Sequence, residues 1–319
     1  MSGAPGGDRR VIVTGAAGFV GGYACRALAA DGWHVVALVR NAARAAERLG
    51  HMPIEIRVGD LMDRAYLRAA LDSAHAVVHL AAVAIERDGD SYQTANVDTT
   101  AAVLDAAQLA GVRRFVHMSQ NGADSASPFR FLQSKGIAQD MVLATGLKSV
   151  ILRPSVIFGP EDAFVNVIAR IARLTPVILP LPGGGRSLFQ PIAVADVAAV
   201  VARALSDDSP PSGVFGLGGV AALSLRDIAA RALVAMNLSR TIVGVPTAMM
   251  RPLVAALSQL LPRLPVTTEL LDTLAIDNIV ADNSITSVFG ITPVPFAPEE
   301  LLYLKRVTAA SAFRSLFRA

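Results

Sequence analysis

The chain has 319 residues, 53% of them hydrophobic, a formal net charge of +3 and one cysteine, with a mean hydropathy of +0.47. One cysteine excludes an intrachain disulfide, and the lack of a dense Lys/Arg block argues against nucleic-acid binding. The longest apolar stretch, residues 248–266, is interrupted by Arg251, Pro252, Pro262, Arg263 and Pro265 and makes no clean membrane-spanning helix. The opening MSGAPGGDRR has no apolar segment of a secretory signal, so the cytoplasm is expected, while the alanine-rich hydrophobicity leaves a membrane-adjacent or partner-covered surface open.

Residues 1–9 read as a disordered lead-in. Val11, Ile12 and Val13 are the β-branched run of a buried parallel strand. The chain then turns on Thr14-Gly15 and enters a helix through Ala16, Ala17, Gly18, Phe19, Val20 and Gly21. A phosphate approaches backbone N–H groups only where no Cβ intervenes, and the positive end of a helix dipole favours it. This reads as the first βα unit of a dinucleotide-binding fold, spaced G-x-x-G-x-x-G rather than G-x-G-x-x-G. The helix continues to residue 30, stops at Gly32, and buries Cys25 as a small apolar side chain.

Residues 34–39 form the second strand, its tip at Val39-Arg40 with Arg44 one helical turn on. An acidic residue commonly binds the ribose 2′-OH there. This stretch has none and offers two guanidiniums, so NADP(H) is expected over NAD(H); the other reading of Arg40 is a solvated loop charge. Residues 54–58 form the third strand. Asp60, before Leu61, is an acceptor for the adenine amino group or a cap for a helix over 63–71. Residues 76–80 form the fourth strand, and the small Ala81 and Ala82 let an adenosine pass over the strand ends. A long helix carrying Asn96-Val97 runs to about Gly111, and residues 113–118 form the fifth strand, ending at Ser119. A helix from near Pro128 carries Phe131 and Lys135 one turn apart, and residues 149–152 form the sixth strand, broken at Arg153-Pro154.

Beyond this, helices are expected over 163–174, 196–205 and 225–236, and short strands over 188–193, 214–217 and 241–243. Glu161-Asp162 is an acid/base couple or a helix cap, and no His spacing suits a metal. The tail, 301–319, is a basic amphipathic segment suited to an anionic membrane surface, a partner, or the surface of its own lobe. The expected architecture is α/β: a Rossmann-type doubly wound parallel sheet over 10–160, with 188–218 returning to it, and a smaller, mostly helical C-terminal lobe over 161–187 and 219–319.

With Thr14-Gly15, Gly18, Gly21, Asp60-Leu61, Ala81-Ala82, Asn96-Val97, Ser119, Lys135 and Arg153-Pro154 in this order, the chain resembles an extended or atypical short-chain dehydrogenase/reductase of the NAD-dependent epimerase/dehydratase-like group. The stretches GVRRFVHMS (111–119), LRPSVIFGPEDAF (152–164) and FQPIAVADVA (189–198) resemble the branch containing the nucleotide-binding accessory subunit of respiratory complex I and its bacterial relatives. The resemblance implies cofactor contacts at Gly15, Ala17, Gly18, Phe19, Val20, Arg40, Asp60, Leu61, Ala81, Ala82, Val83, Lys135, Pro154 and Val156, and catalytic places for Ser119 and Lys135.

In this family a tyrosine exchanges a proton with the substrate oxygen while hydride moves at the nicotinamide. A lysine four residues on lowers the tyrosine pKa and holds the nicotinamide ribose, and a serine bonds the reacting oxygen. The tyrosine position here is Phe131, which keeps a ring and loses the titratable group. Ser134 and His117 are the conceivable substitutes, and Tyr23, Tyr66, Tyr92 and Tyr303 read as packing or surface residues. Two functions follow. In one, NADP(H) is a structural or sensing ligand of a protein acting through protein or membrane contacts, with peripheral attachment at the inner membrane face. In the other, an NAD(P)-dependent epimerase, dehydratase or reductase acts on a nucleotide-sugar or an apolar carbonyl substrate.

Overall fold

Val11, Ile12 and Val13 are fully buried in strand β1 (Arg10–Thr14), as a β-branched run between two helical layers requires. The computed structural model describes residues 9–87, 89–206, 212–261, 263–264 and 266–317. Of the expected lead-in only Arg9 is among them; Pro262, Pro265 and the last two residues of the tail lie outside.

From β1 the chain alternates through α1 (Phe19–Ala30), β2 (His34–Val39), α2 (Ala42–Leu49), β3 (Glu55–Val58), α3 (Arg64–Leu71), β4 (Ala76–His79), α4 (Thr99–Leu109), β5 (Arg114–Met118), α5 (Arg130–Ala144) and β6 (Ser149–Pro154). There follow β7 (Ile157–Phe158), α6 (Val165–Leu174), β8 (Ile178–Pro182), β9 (Leu188–Phe189), β10 (Ile192–Ala193), α7 (Val194–Arg203) and β11 (Gly213–Leu217). The chain ends with β12 (Leu223–Ser224), α8 (Leu225–Ala235), β13 (Thr241–Val245), α9 (Thr247–Leu260), α10 (Thr268–Thr273), α11 (Ser284–Ser287) and α12 (Ala309–Arg314).

Seven strands form one parallel sheet in the order β11-β6-β5-β4-β1-β2-β3, the expected Rossmann-type architecture. The order reverses between β1 and β4, so the connections leaving their C-terminal ends part and open a crevice. Ile12, Val36, Val77, Phe115 and Ile151 point from successive strands into one core with Leu67 and Leu71 of α3, Val103 and Leu104 of α4 and Val142 of α5. Each such side chain contributes about 1.5–3 kcal/mol on burial. Their strand neighbours point to the opposite face, where α1 packs on α7.

The chain divides into two units. The first takes Met1–Pro154, Val194–Leu217 and Asp282–Thr292, and the second takes Ser155–Ala193, Gly218–Ala281 and Pro293–Ala319. The boundary falls at Pro154 rather than 160 because β7 pairs with β10 and not with the large sheet. The single strand expected over 188–193 is two, β9 and β10, broken at Gln190-Pro191, and β9 pairs with β12. Residues 282–292 join the first unit, where Asn283 bridges Gly216 of β11. Arg153-Pro154 does not break β6. Pro154 stays in register with Leu217 and its carbonyl accepts from Asn121 N at 2.9 Å, so the missing N–H is not needed. The long helix expected around Asn96 is a π-helical turn, Gln93–Asp98, feeding α4.

In the second unit α6, α8 and a 3₁₀ helix, Pro298–Arg306, enclose a core of Phe158, Ile168, Leu179, Phe189, Ile228 and Leu301. Asp162 settles as a cap: Oδ1 accepts from the N–H groups of Phe164, Val165 and Asn166, and Oδ2 from Gly159 N and the Tyr303 hydroxyl. The apolar stretch of the C-terminal third becomes α9, with Pro252 inside it and only Val254 buried, leaving Met249, Leu253 and Leu260 exposed. In the tail Leu301, Leu304 and Leu316 are buried while Phe313 and Phe317 are exposed. Among the described residues no helix is long and apolar enough to cross a membrane.

Two helical glycines that look alike in sequence differ here. A Cβ on Gly136 in α5 would lie 2.2 Å from the backbone of Asp124 and Ser125, whereas one on Gly22 in α1 meets nothing nearer than Leu49 at 3.9 Å. Gly136→Ala is expected to destabilise by about 1–3 kcal/mol, and Gly22→Ala to stabilise by about 0.5–1 kcal/mol. Urea denaturation of both variants checks the pair.

Candidate dinucleotide-binding and active site

The turn from β1 into α1 is packed backbone against backbone. Gly15, at φ +67°, has no room for a Cβ, which would sit 2.7 Å from Ala81 N, and a Cβ on Gly21 would lie 2.2 Å from the Gly15 carbonyl. Gly18 caps α1 in extended conformation without a side-chain bond, so the first-turn N–H groups stay uncovered by side chains, as an anion site needs. A groove of about 770 Å³ opens in front of the turn, at the C-terminal ends of β1, β2 and β4. Gly15, Ala17, Gly18, Phe19, Arg40, Asp60, Leu61, Ala81, Ala82 and Val83 all line it, together with Arg44. Val20 lies one residue into α1 and is not on its wall. Pro154 ends β6, and Val156 packs on the core of the second unit.

The tip of β2 carries no carboxylate, as expected, but the fold brings one to Arg40 from elsewhere in the chain. Asp90, from the segment after β4, meets Arg40 in a two-pronged pair, both bonds 2.8 Å. The pair holds the Asp90 carboxyl below, and the Arg40 guanidinium above, their usual ranges. Asp60 does not cap α3. Asp63 does so by accepting from Ala65 and Tyr66 N, and Asp60 accepts from Met62 N beside the groove.

At the end of β5, Lys135 and Ser119 come together. Lys135 Nζ donates to the Met118 carbonyl at 2.6 Å, and the Ser119 hydroxyl donates to Gln139 Oε1, one turn along α5, at 3.1 Å. Burial pushes the Lys135 ammonium down to about 8. Phe131 takes the tyrosine position and its ring lies 5.8 Å from that of Tyr92, whose hydroxyl donates to the Ala84 carbonyl at 3.1 Å. Asn96, in the π turn, accepts from Val83 N and donates to Val83 O and to Ser134 Oγ. The Ser134 hydroxyl itself donates to the Phe131 carbonyl, so it is committed to its own helix.

Behind these groups runs a buried polar chain. The Thr100 hydroxyl spends its proton on the Asn96 carbonyl, so it accepts from His79 Nε2 at 3.0 Å. His79 Nδ1 is then the acceptor for the Thr14 hydroxyl at 2.8 Å, and Thr14 Oγ1 accepts from Ala81 N. His117 stacks on His79 with ring centres 5.6 Å apart, and neither of its nitrogens has a hydrogen-bond partner among the described residues. Burial, then Lys135, pushes His79 down to about 3 and His117 well below its usual value. Desolvation pushes the buried Cys25 thiol up to about 12 and leaves it inert.

Sequence reasoning missed Asp90, Gln139 and the Thr14–His79–Thr100 chain. Only Asp90 had a signal, the charged turn around Gly89, whose φ is +87°. Among the described residues no cluster of His, Cys, Asp or Glu could hold a metal.

A parallel sheet with this crevice and a glycine turn at its mouth defines a dinucleotide-binding Rossmann protein. Residues 15–208 match the model of the NAD(P)H-binding family, and the chain belongs to that family. It is 31% identical over 226 residues, 68% of this chain, to subunit 9 of the NADH dehydrogenase (ubiquinone) 1 alpha subcomplex of Arabidopsis thaliana mitochondria. It is 32% identical over 189 residues, 59% of this chain, to the ceramide reductase of Caulobacter vibrioides. The chain spans only 55% and 58% of those relatives' lengths. The UDP-glucose 4-epimerase of Thermotoga maritima, solved with UDP-glucose, shares the fold: TM-score 0.72, 18% identity, 96% of this chain and 99% of that one.

The buried imidazoles predict an acid-sensitive fold. In the unfolded chain both histidines take up a proton near pH 6.5; in the folded chain they stay neutral, so stability present above pH 6.5 is lost as pH falls below it. Urea midpoints measured from pH 7.5 to 5 are expected to fall, and His117→Phe to make the fall shallower. Parallel curves would remove His117 as a contributor.

Proposed function

We propose that the protein holds NADP(H) in this groove as a structural or sensing ligand, in a respiratory-chain-related or membrane-associated role. The observation that carries the reading is Phe131, a phenyl ring where proton exchange with a substrate uses a phenol, in a chain that has the glycine turn and the groove before it. The glycine turn fits a pyrophosphate, because Gly18 opens α1 with no side chain over the first-turn N–H groups and the groove lies in front of it. When bound, the nicotinamide is a hydride donor or acceptor. Arg40 and Arg44 would take a 2′-phosphate, Asp60 the adenine amino group, and Lys135 a ribose hydroxyl. A complex I subunit among the relatives, and the exposed Met249, Leu253 and Leu260 of α9, support a role against a partner or at the inner face of a membrane.

A second reading, a reductase of an apolar carbonyl compound or an epimerase of a nucleotide-sugar, is favoured by one observation: Ser119 and Lys135 remain together at the end of β5. The ceramide reductase among the relatives supports the apolar substrate. Under it the substrate proton comes from a group other than residue 131.

The purified protein is expected to release NADP(H) on denaturation, identified by mass spectrometry, and to show no steady NADPH oxidation with generic carbonyl substrates, while Phe131→Tyr gains measurable turnover. Release of NAD(H) alone would remove the 2′-phosphate argument, and turnover by the wild type would select the second reading. Lys135→Ala is expected to weaken nucleotide binding about tenfold, the loss of one buried charge-assisted hydrogen bond.

A further inference from the structure

We propose that Asp90 sets the discrimination between NADP(H) and NAD(H): it competes with the cofactor's 2′-phosphate for the Arg40 guanidinium, and phosphate binding unfastens an ionic anchor of the segment that carries Asp90. The inference rests on the dinucleotide reading above. Arg40 directly follows β2 and lines the groove, and Asp90 reaches it from the far wall, 50 residues on. Both terminal nitrogens of Arg40 are spent on the two Asp90 oxygens. A fork so engaged cannot offer the same pair of N–H groups to a phosphate, so the two anions compete for that end of the guanidinium.

The segment is built to present that carboxylate. Asp90 N donates to the Arg87 carbonyl at 2.9 Å, closing a tight turn through Gly89 at φ +87°. The other anchor is Glu86, paired two-pronged with Arg130 at 2.8 and 2.9 Å, and Arg130 is the first residue of α5, the helix of Phe131 and Lys135. Glu86 also accepts from Tyr92 N, and Asn96 pins Val83 by two bonds. Release at Asp90 therefore leaves the Glu86 anchor tied to α5.

Exchange at Arg40 is cheap. The Arg40 side chain is 63% exposed, so its pair with Asp90 is weakly held, and a 2′-phosphate brings about 1.5–2 negative charges against the one of the carboxylate. Arg44 differs: its guanidinium makes no hydrogen bond or ion pair with any described residue, so a 2′-phosphate meets it without displacing anything. The two arginines divide the work, Arg44 attracting the phosphate and Arg40 yielding to it at the expense of Asp90.

The test is calorimetric titration of the full chain with 2′,5′-ADP and with 5′-ADP, in the wild type, Asp90→Asn, Arg40→Gln and the double variant. Asp90→Asn is expected to tighten 2′,5′-ADP about three- to tenfold, the scale of an exposed ion pair plus a lost like-charge repulsion, and to leave 5′-ADP within about twofold. Arg40→Gln is expected to weaken 2′,5′-ADP selectively, and in its background Asp90→Asn should keep only the smaller gain from lost like-charge repulsion. Equal effects of Asp90→Asn on both nucleotides, or none on either, would overturn the inference while leaving the dinucleotide site standing. No binding of either nucleotide to the wild type would overturn the site and the inference together.

Discussion

The structure depends on one close approach, that of Gly15 to the backbone of Ala81. With less than 3 Å between a would-be Cβ and the Ala81 nitrogen, the first turn and the end of β4 sit in direct main-chain contact. Leu80 N and Ala81 N both reach back to Thr14, the first to its carbonyl and the second to its hydroxyl. The helix that follows can start tight against the turn only because Gly21 also lacks a side chain. The groove is what remains when these two strand ends diverge, and its floor is backbone because no side chain fits there.

A second layer of order lies beneath that floor. Three nitrogen bases, His79, His117 and Lys135, are buried there, and burial depresses the protonation of each, with Lys135 adding to it at both imidazoles. His79 joins the glycine turn to the π turn through two threonine hydroxyls, so residues that shape the pyrophosphate end and residues that brace α5 share one hydrogen-bonded chain. The wide turn puts Asn96 where it bonds both Val83 and Ser134. Lys135, Ser119 and Phe131 thus sit on one braced scaffold around α5.

Much of this was legible in the chain because it is local. Short β-branched runs marked β1, β2 and β4, and the one-turn spacing of Phe131 and Lys135 placed both on α5. What escaped depends on contacts between distant residues or on geometry that composition does not encode. A π turn has the same residues as the α-helix it replaces, so the 93–98 stretch read as one long helix. Pro154 read as a strand breaker, but its pairing uses the carbonyl alone. The return of residues 282–292 to the first unit hangs on a bridge from Asn283, in a stretch with no periodicity of its own. Arg40 was legible as a groove charge; its partner was not, because the pair is set by how a turn around Gly89 projects Asp90.

The segment between β4 and the π turn is fastened at Asp90 and Glu86 by guanidinium–carboxylate pairs whose arginine side chains are 63% and 64% exposed. Exposed charges feel the surrounding electrolyte, with a screening length of about 8 Å at physiological ionic strength and about 30 Å in dilute buffer. This wall of the groove is therefore a salt-responsive element: its ion pairs are firmer in dilute solution and weaker as ions accumulate. The hydrocarbon core of the sheet is indifferent to that variable, so ionic strength adjusts the entrance of the groove while its floor stays fixed.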